Sequence, residues 1–192
     1  MNLRHSWLLL ALPSLLGCSG LLVVALSFAA AAFSCLLLCG LALMPLRRHL
    51  TPTGQVIASL LIAATLLSCA SVLLQMHSHE LYRSVALFLP LLALPCAGLA
   101  LGGGSTVWGG LRAGLGIASL AIVLGILREA LGQATLLQHA NWLFGDQAHD
   151  WPITLTGLPA MPLLATVSGG FILLGVLLAL VRYFPPAIQE RP

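Results

Sequence analysis

The chain has 192 residues, 59% of them apolar and only 7% charged, against roughly 25% charged in a soluble globular domain. No water-soluble surface can be built from this composition, and a net charge of +3 from eight arginines and five acids, with no lysine, offers no evidence for nucleic-acid binding. Charges this sparse serve better as topology markers, because arginine at the ends of hydrophobic spans stays preferentially on the cytoplasmic side.

In chain order, the apolar run that follows Arg4 and His5 is longer than the core of a secretory signal and leads straight into further apolar sequence, so it reads as a retained membrane segment. A helix needs about 20 apolar residues to cross roughly 30 Å of hydrocarbon. Six stretches qualify, at about residues 6–25, 28–46, 55–76, 82–101, 109–131 and 158–184. The expectation is an all-α integral membrane protein forming one membrane domain over residues 1–192. It has two inverted three-span repeats, at about 6–76 and 82–184, each opening on an interrupted helix.

On a six-span topology, Arg4, Arg47, Arg48, Arg112, Arg182 and Arg191 share one side and only Arg83 and Arg128 face the other. That bias places both termini in the cytoplasm of a bacterial inner membrane. The segment 132–159, with Trp142, Phe144 and Trp151 among polar residues including Asp146 and Asp150, then lies on the outer face as an interfacial amphipathic element.

Helix breakers give the repeats their motif. Pro13, Gly17 and Gly20 fall in the first segment, and Pro90, Pro95 and Gly98 in the fourth. Proline removes a backbone donor and clashes with the preceding turn, so both segments read as broken, with simple kinking as the alternative. The breaks themselves are alike: Leu16-Gly17-Cys18-Ser19-Gly20-Leu21 and Leu94-Pro95-Cys96-Ala97-Gly98-Leu99 share Cys-small-Gly-Leu. Soft thiolates select iron–sulfur clusters, zinc or copper(I), and a binuclear cluster takes four thiolates. Two cysteines at equivalent places therefore suit a centre completed by a second, homologous chain. Spacing alone leaves tight packing of small residues open as the other account.

The sequence resembles the E subunit of the Rnf electron-transport complex, related to the D subunit of the sodium-translocating NADH:quinone reductase, over nearly its whole length. The resemblance rests on Leu15-Leu16-Gly17-Cys18, on the stretch from Leu81-Tyr82-Arg83-Ser84 through Phe88-Leu89-Pro90 to Cys96, and on Leu127-Arg128-Glu129-Ala130-Leu131-Gly132 with Thr135-Leu136-Leu137. It implies that Cys18 and Cys96 bind the iron of a 2Fe–2S cluster shared with the paralogous A subunit. It further implies electron relay between ferredoxin and NAD coupled to Na+ or H+ transport, with the B, C, D and G subunits as further partners carrying flavins and other clusters. The chain departs from the family at Leu94-Pro95, where threonine–asparagine usually precedes the second cysteine. It also lacks the usual glycine–arginine–alanine–glutamate after that cysteine, having Leu99-Ala100-Leu101-Gly102-Gly103-Gly104.

Other residues take simpler roles. Cys35, Cys39 and Cys69 read as small apolar fillers, the first two on one helix face. His77, His79 and Glu80 offer too few ligands for a metal and read as loop residues. Arg128 and Glu129 read as a structural anchor at a span end rather than as a transport pair. A small-molecule permease with no redox centre is the alternative function, since inverted repeats with broken helices commonly serve transport; it calls for a polar midplane pocket.

Overall fold

The computed structural model describes residues 6–46, 49–101, 107–137, 153–154 and 161–183. They form eight α-helices and one two-stranded ribbon: α1 (Ser6–Cys18), α2 (Leu22–Leu46), α3 (Pro52–His77), α4 (His79–Val85), α5 (Ala93–Leu101), α6 (Val107–Gln133), α7 (Pro162–Ala165) and α8 (Val167–Tyr183), with β1 (Thr135–Leu136) antiparallel to β2 (Ile153–Thr154).

This corrects the expectation of six spans in two inverted repeats. Among the described residues only α2, α3 and α6 are long and apolar enough to cross a membrane. A fourth span exists if the pair His79–Val85 and Pro90–Ala100, bent by 53°, is counted as one. The physical reason lies at the two ends of the chain. The first apolar stretch ends its helix at Cys18, because Ser19 and Gly20 start a turn, and thirteen residues reach only about 20 Å at the helical rise. The residues beyond that turn extend α2 to 25 residues instead of completing a first span. At the other end, a break at Thr166 separates α7 from α8, and α8 has 17 residues.

The topology count that placed the termini rested on six spans, and it lapses with them. Arg4, Arg47, Arg48 and Arg191, like Gly102–Gly104, Trp142, Phe144, Asp146, Asp150 and Trp151, lie outside the described residues. Arg128 is buried, so its charge marks no membrane surface.

Helix ends follow local chemistry. Thr51 caps α3, its hydroxyl accepting from the Gly54 N–H at 3.3 Å, and Pro52 takes the first helical position, where a missing donor costs nothing. Ser78 ends α3 in extended conformation and caps α4, its hydroxyl accepting from the Leu81 N–H at 3.4 Å. His77 therefore closes one helix while His79 and Glu80 open the next, rather than sitting in a loop. Inside the apolar helices Ser14, Ser27 and Ser59 return their hydroxyls to the carbonyls of Ala11, Val23 and Val56 at 2.7–2.8 Å, which satisfies each donor without water.

The core is the antiparallel pairing of α2 with α6, and small residues set its closeness. A Cβ on Gly110 would lie 2.6 Å from the Leu36 carbonyl oxygen, and one on Gly125 would lie 2.6 Å from the Ala25 Cβ. Without side chains at these points the two backbones approach as membrane helices do when packing, rather than water exclusion, drives association. Helix α3 is the opposite case. Little of its apolar length is buried, and Leu61, Leu73 and Met76 are exposed, so this face meets lipid or a neighbouring protein. Cys69 is exposed there too and is not the core filler that composition suggests.

Candidate functional site

Four elements converge where α1 stops. Helix α1 ends at Cys18, the chain turns through residues 19–21, and α2 starts at Leu22. Such a break leaves carbonyls unpaired at the end of one helix and N–H groups at the start of the next. Both are answered by neighbouring residues of α6. The Arg128 Nη1 donates to the Leu16 carbonyl at 3.0 Å and to the Ser19 Oγ at 2.9 Å, while its Nη2 donates to the Ala165 carbonyl of α7 at 3.0 Å. The Glu129 Oε2 accepts from the Leu22 N–H. The signs also match the helix dipoles, with a cation at the C-terminus of α1 and an anion at the N-terminus of α2. Arg128 is 4% exposed and Glu129 is fully buried. The anchoring role read from the sequence is thus borne out, with a more specific target: the pair holds a broken helix rather than a span end.

The second break lies against the first. Phe88, between α4 and the 3-10 turn Pro90–Leu92, sets its ring over Gly17, so closely that a Cβ there would fall 2.0 Å from the Phe88 Cε1. A side chain at Gly17 would therefore have to displace the half-buried Phe88 ring. Beyond the turn, α5 carries Cys96. The two cysteines singled out by sequence, Cys18 (1% exposed) and Cys96 (0%), belong to one hydrophobic cluster, on helices α1 and α5 that pack together.

The sulfur–sulfur contact in this core, however, joins Cys96 to Cys35 of α2 at 3.9 Å. Cys39, one turn further on, directs its Sγ to the Ser59 carbonyl at 3.9 Å. Sequence reasoning missed this grouping. The signal was present in the i, i+4 spacing of Cys35 and Cys39, but nothing in the sequence tells which helix that face meets.

The donor set suits part of an iron–sulfur cluster. Among the described residues no group of three or more His, Cys, Asp or Glu could hold a metal ion. Cys18 and Cys96 supply soft ligands of the right type, but half the number a binuclear cluster takes. They fit as contributors to a shared centre and not as its sole hosts. Gly20 and Ala97, near the two cysteines in sequence, are half-buried, and the space a side chain would take at Gly20 is empty to 4 Å. A separate cavity of ≈ 350 Å³ opens between α3 and the bent pair, lined by Leu67, Ser68, Ser71, Tyr82, Leu89 and Pro90 among others. Its lining includes no charged side chain.

These features define a multi-pass membrane protein built around a clamped helix break with buried thiols beside it. The chain belongs to the Rnf-Nqr family, whose model, described as "Rnf-Nqr subunit, membrane protein", matches residues 4–178, and within it to the group of E subunits. Proteins named as the E subunit of an ion-translocating oxidoreductase complex are similar throughout. That of Pseudomonas paraeruginosa is 35% identical over 95% of this chain and 80% of its own length. That of Thioalkalivibrio sulfidiphilus is 33% identical over 95% and 84%, and that of Vibrio parahaemolyticus is 31% identical over 95% and 84%.

Proposed function

We propose that this chain is an electron-carrying membrane component of an Rnf-type ion-translocating oxidoreductase in the bacterial inner membrane, and that Cys18 and Cys96 ligate part of a 2Fe–2S cluster shared with the paralogous A subunit. Electrons pass between ferredoxin and NAD by way of flavins and clusters held in the B, C, D and G subunits, coupled to Na+ or H+ transport. The observation that carries the reading is the burial of both thiols in one core, on helices α1 and α5, in a chain whose relatives bear that complex's name.

When bound, a 2Fe–2S centre supplies one-electron storage inside the membrane. The chain's own residues do the rest. Arg128 fixes the last turn of α1 and so fixes the direction of Cys18, and its positive charge beside Ser19 offsets part of the negative charge that a ligating thiolate brings. Glu129 holds the first turn of α2 in register with it. Leu15, Val23, Leu92 and Leu99 keep the surroundings dry, which strengthens the electrostatic effect of each nearby charge and donor.

The test is an electron paramagnetic resonance spectrum of the reduced complex, purified with its A subunit, comparing native protein with Cys18→Ala and Cys96→Ala. Loss of a 2Fe–2S signal in both assembled variants supports the assignment. An unchanged signal and iron content in either variant removes that cysteine from the ligand set.

A further inference from the structure

We infer that Cys35 is a positioning residue for Cys96: its S–H donates a hydrogen bond to the Cys96 sulfur and thereby sets the electron affinity of the centre that this sulfur ligates. This role rests on the cluster reading above and deepens it.

The geometry is long-range and specific. Cys35 projects from α2 and Cys96 from α5, 61 residues apart in sequence, yet their sulfurs lie 3.9 Å apart, with Cys35 3% and Cys96 0% exposed. Between two neutral thiols either sulfur can donate. Once Cys96 is a ligand thiolate it has no proton and can only accept, so the contact acquires one direction, from Cys35 to Cys96. Buried polar groups without partners are costly, and burial keeps both thiols from water that could supply one. The bond also strengthens with charge: a donor to a ligand sulfur stabilises the reduced, more negative state more than the oxidised one, which raises the reduction potential.

Cys39 is the natural rival, since it lies one turn further along the same face of α2. Its sulfur, however, is drawn to the Ser59 carbonyl of α3 at 3.9 Å, so its proton has a competing acceptor. Cys35 has no second acceptor among the described residues, which leaves its proton for Cys96. Two thiols that composition assigns to filling are thereby separated: Cys35 faces the ligand, and Cys39 ties α2 to α3.

The experiment uses the whole purified complex and three forms of this chain: native, Cys35→Ala and Cys35→Ser. A redox titration followed by electron paramagnetic resonance should show the 2Fe–2S signal in all three. Its midpoint should shift downward in Cys35→Ala and return toward native in Cys35→Ser, where a hydroxyl restores the donor. In deuterated buffer, hyperfine spectra should lose one exchangeable-proton coupling in Cys35→Ala and retain one in Cys35→Ser. A native signal with an unmoved midpoint and unchanged coupling in Cys35→Ala overturns this inference alone. Loss of the cluster in both variants also overturns it, by making Cys35 a ligand. Absence of any such signal from the native complex removes the cluster reading, and this inference with it.

Discussion

The guanidinium of Arg128 donates to the hydroxyl of Ser19 at 2.9 Å across 109 residues of chain, tying the middle of the protein to the turn that follows its first helix. The same group holds the Leu16 and Ala165 carbonyls, so one side chain joins α1, α6 and α7. Replacing it with alanine takes the donor from the buried Ser19 hydroxyl and from the half-buried Ala165 carbonyl, and leaves the Leu16 carbonyl only the Ser19 hydroxyl as a partner, in a medium with no water to replace the lost group. Arg128→Ala should therefore destabilise the chain by about 3 kcal/mol or more, at roughly 1.5–3 kcal/mol for a hydrogen bond to a charged group. Arg128→Lys, which keeps the charge but not the planar fork that reaches several carbonyls, should recover less than half. Thermal unfolding of the detergent-purified complex measures both, and equal stability of Arg128→Ala and native protein would refute the clamp.

Glu129 makes the matching prediction with a different signature. Its carboxylate accepts from the Leu22 N–H, at the end of α2 where the helix dipole is positive. Glu129→Gln keeps an acceptor oxygen and loses the charge, so it should cost about 1 kcal/mol, the scale of a helix-end charge interaction. Glu129→Ala should cost about 2–3 kcal/mol by stranding the half-buried Leu22 N–H. The ordering Ala worse than Gln, measured by the same unfolding assay, distinguishes a cap from a residue that merely fills space.

The fold was legible in the sequence where apolar length decides, and illegible where tertiary contacts do. The long apolar runs that became α2, α3 and α6 are recognisable from composition, because a continuous run of about 20 apolar residues has few other fates. The first run failed for a reason that no window average contains: Ser19 and Gly20 end α1, and the stop is stabilised by Arg128 and Glu129 from a distant part of the chain. Those two charges were visible as a pair inside an apolar stretch, yet their partners were not. The cysteines divide in the same way. The likeness of the sequences around Cys18 and Cys96 could be read directly, whereas the approach of Cys35 to Cys96 depends on how α2 turns against α5, and the exposure of Cys69 depends on which face of α3 the bundle leaves uncovered.

Close packing of α2 on α6 predicts a sharp dependence on side-chain size. Gly110 faces the Leu36 carbonyl oxygen, a backbone atom that no rotamer change can move aside, with a Cβ-to-oxygen distance of only 2.6 Å. Gly110→Val should therefore cost at least the roughly 1–3 kcal/mol typical of overpacking and lower the amount of chain recovered in the membrane. Gly175→Ala is the matched control, since nothing lies within 4 Å of a Cβ there; it should be indistinguishable from native in yield and melting temperature. Equal effects of the two substitutions would mean that α2 and α6 do not approach this closely.

The contact between Gly17 and Phe88 allows a rescue experiment. A methyl group on Gly17 would overlap the Phe88 ring, with three ring carbons within 2.0–2.3 Å, so Gly17→Ala should push apart α1 and the bend before α5 and cost about 1–3 kcal/mol. Phe88→Leu alone should cost a smaller amount by thinning a half-buried contact. If the two residues oppose each other, the double variant Gly17→Ala with Phe88→Leu should be more stable than the sum of the single effects predicts, by about 1 kcal/mol, within the range seen for residues in contact. Simple additivity would place the ring elsewhere. Because Cys18 follows Gly17 directly, the same four proteins also report on the thiol. Gly17→Ala should broaden or shift the resonance of a cluster ligated by Cys18, and the double variant should restore the native line shape, a recovery that a general loss of stability would not produce.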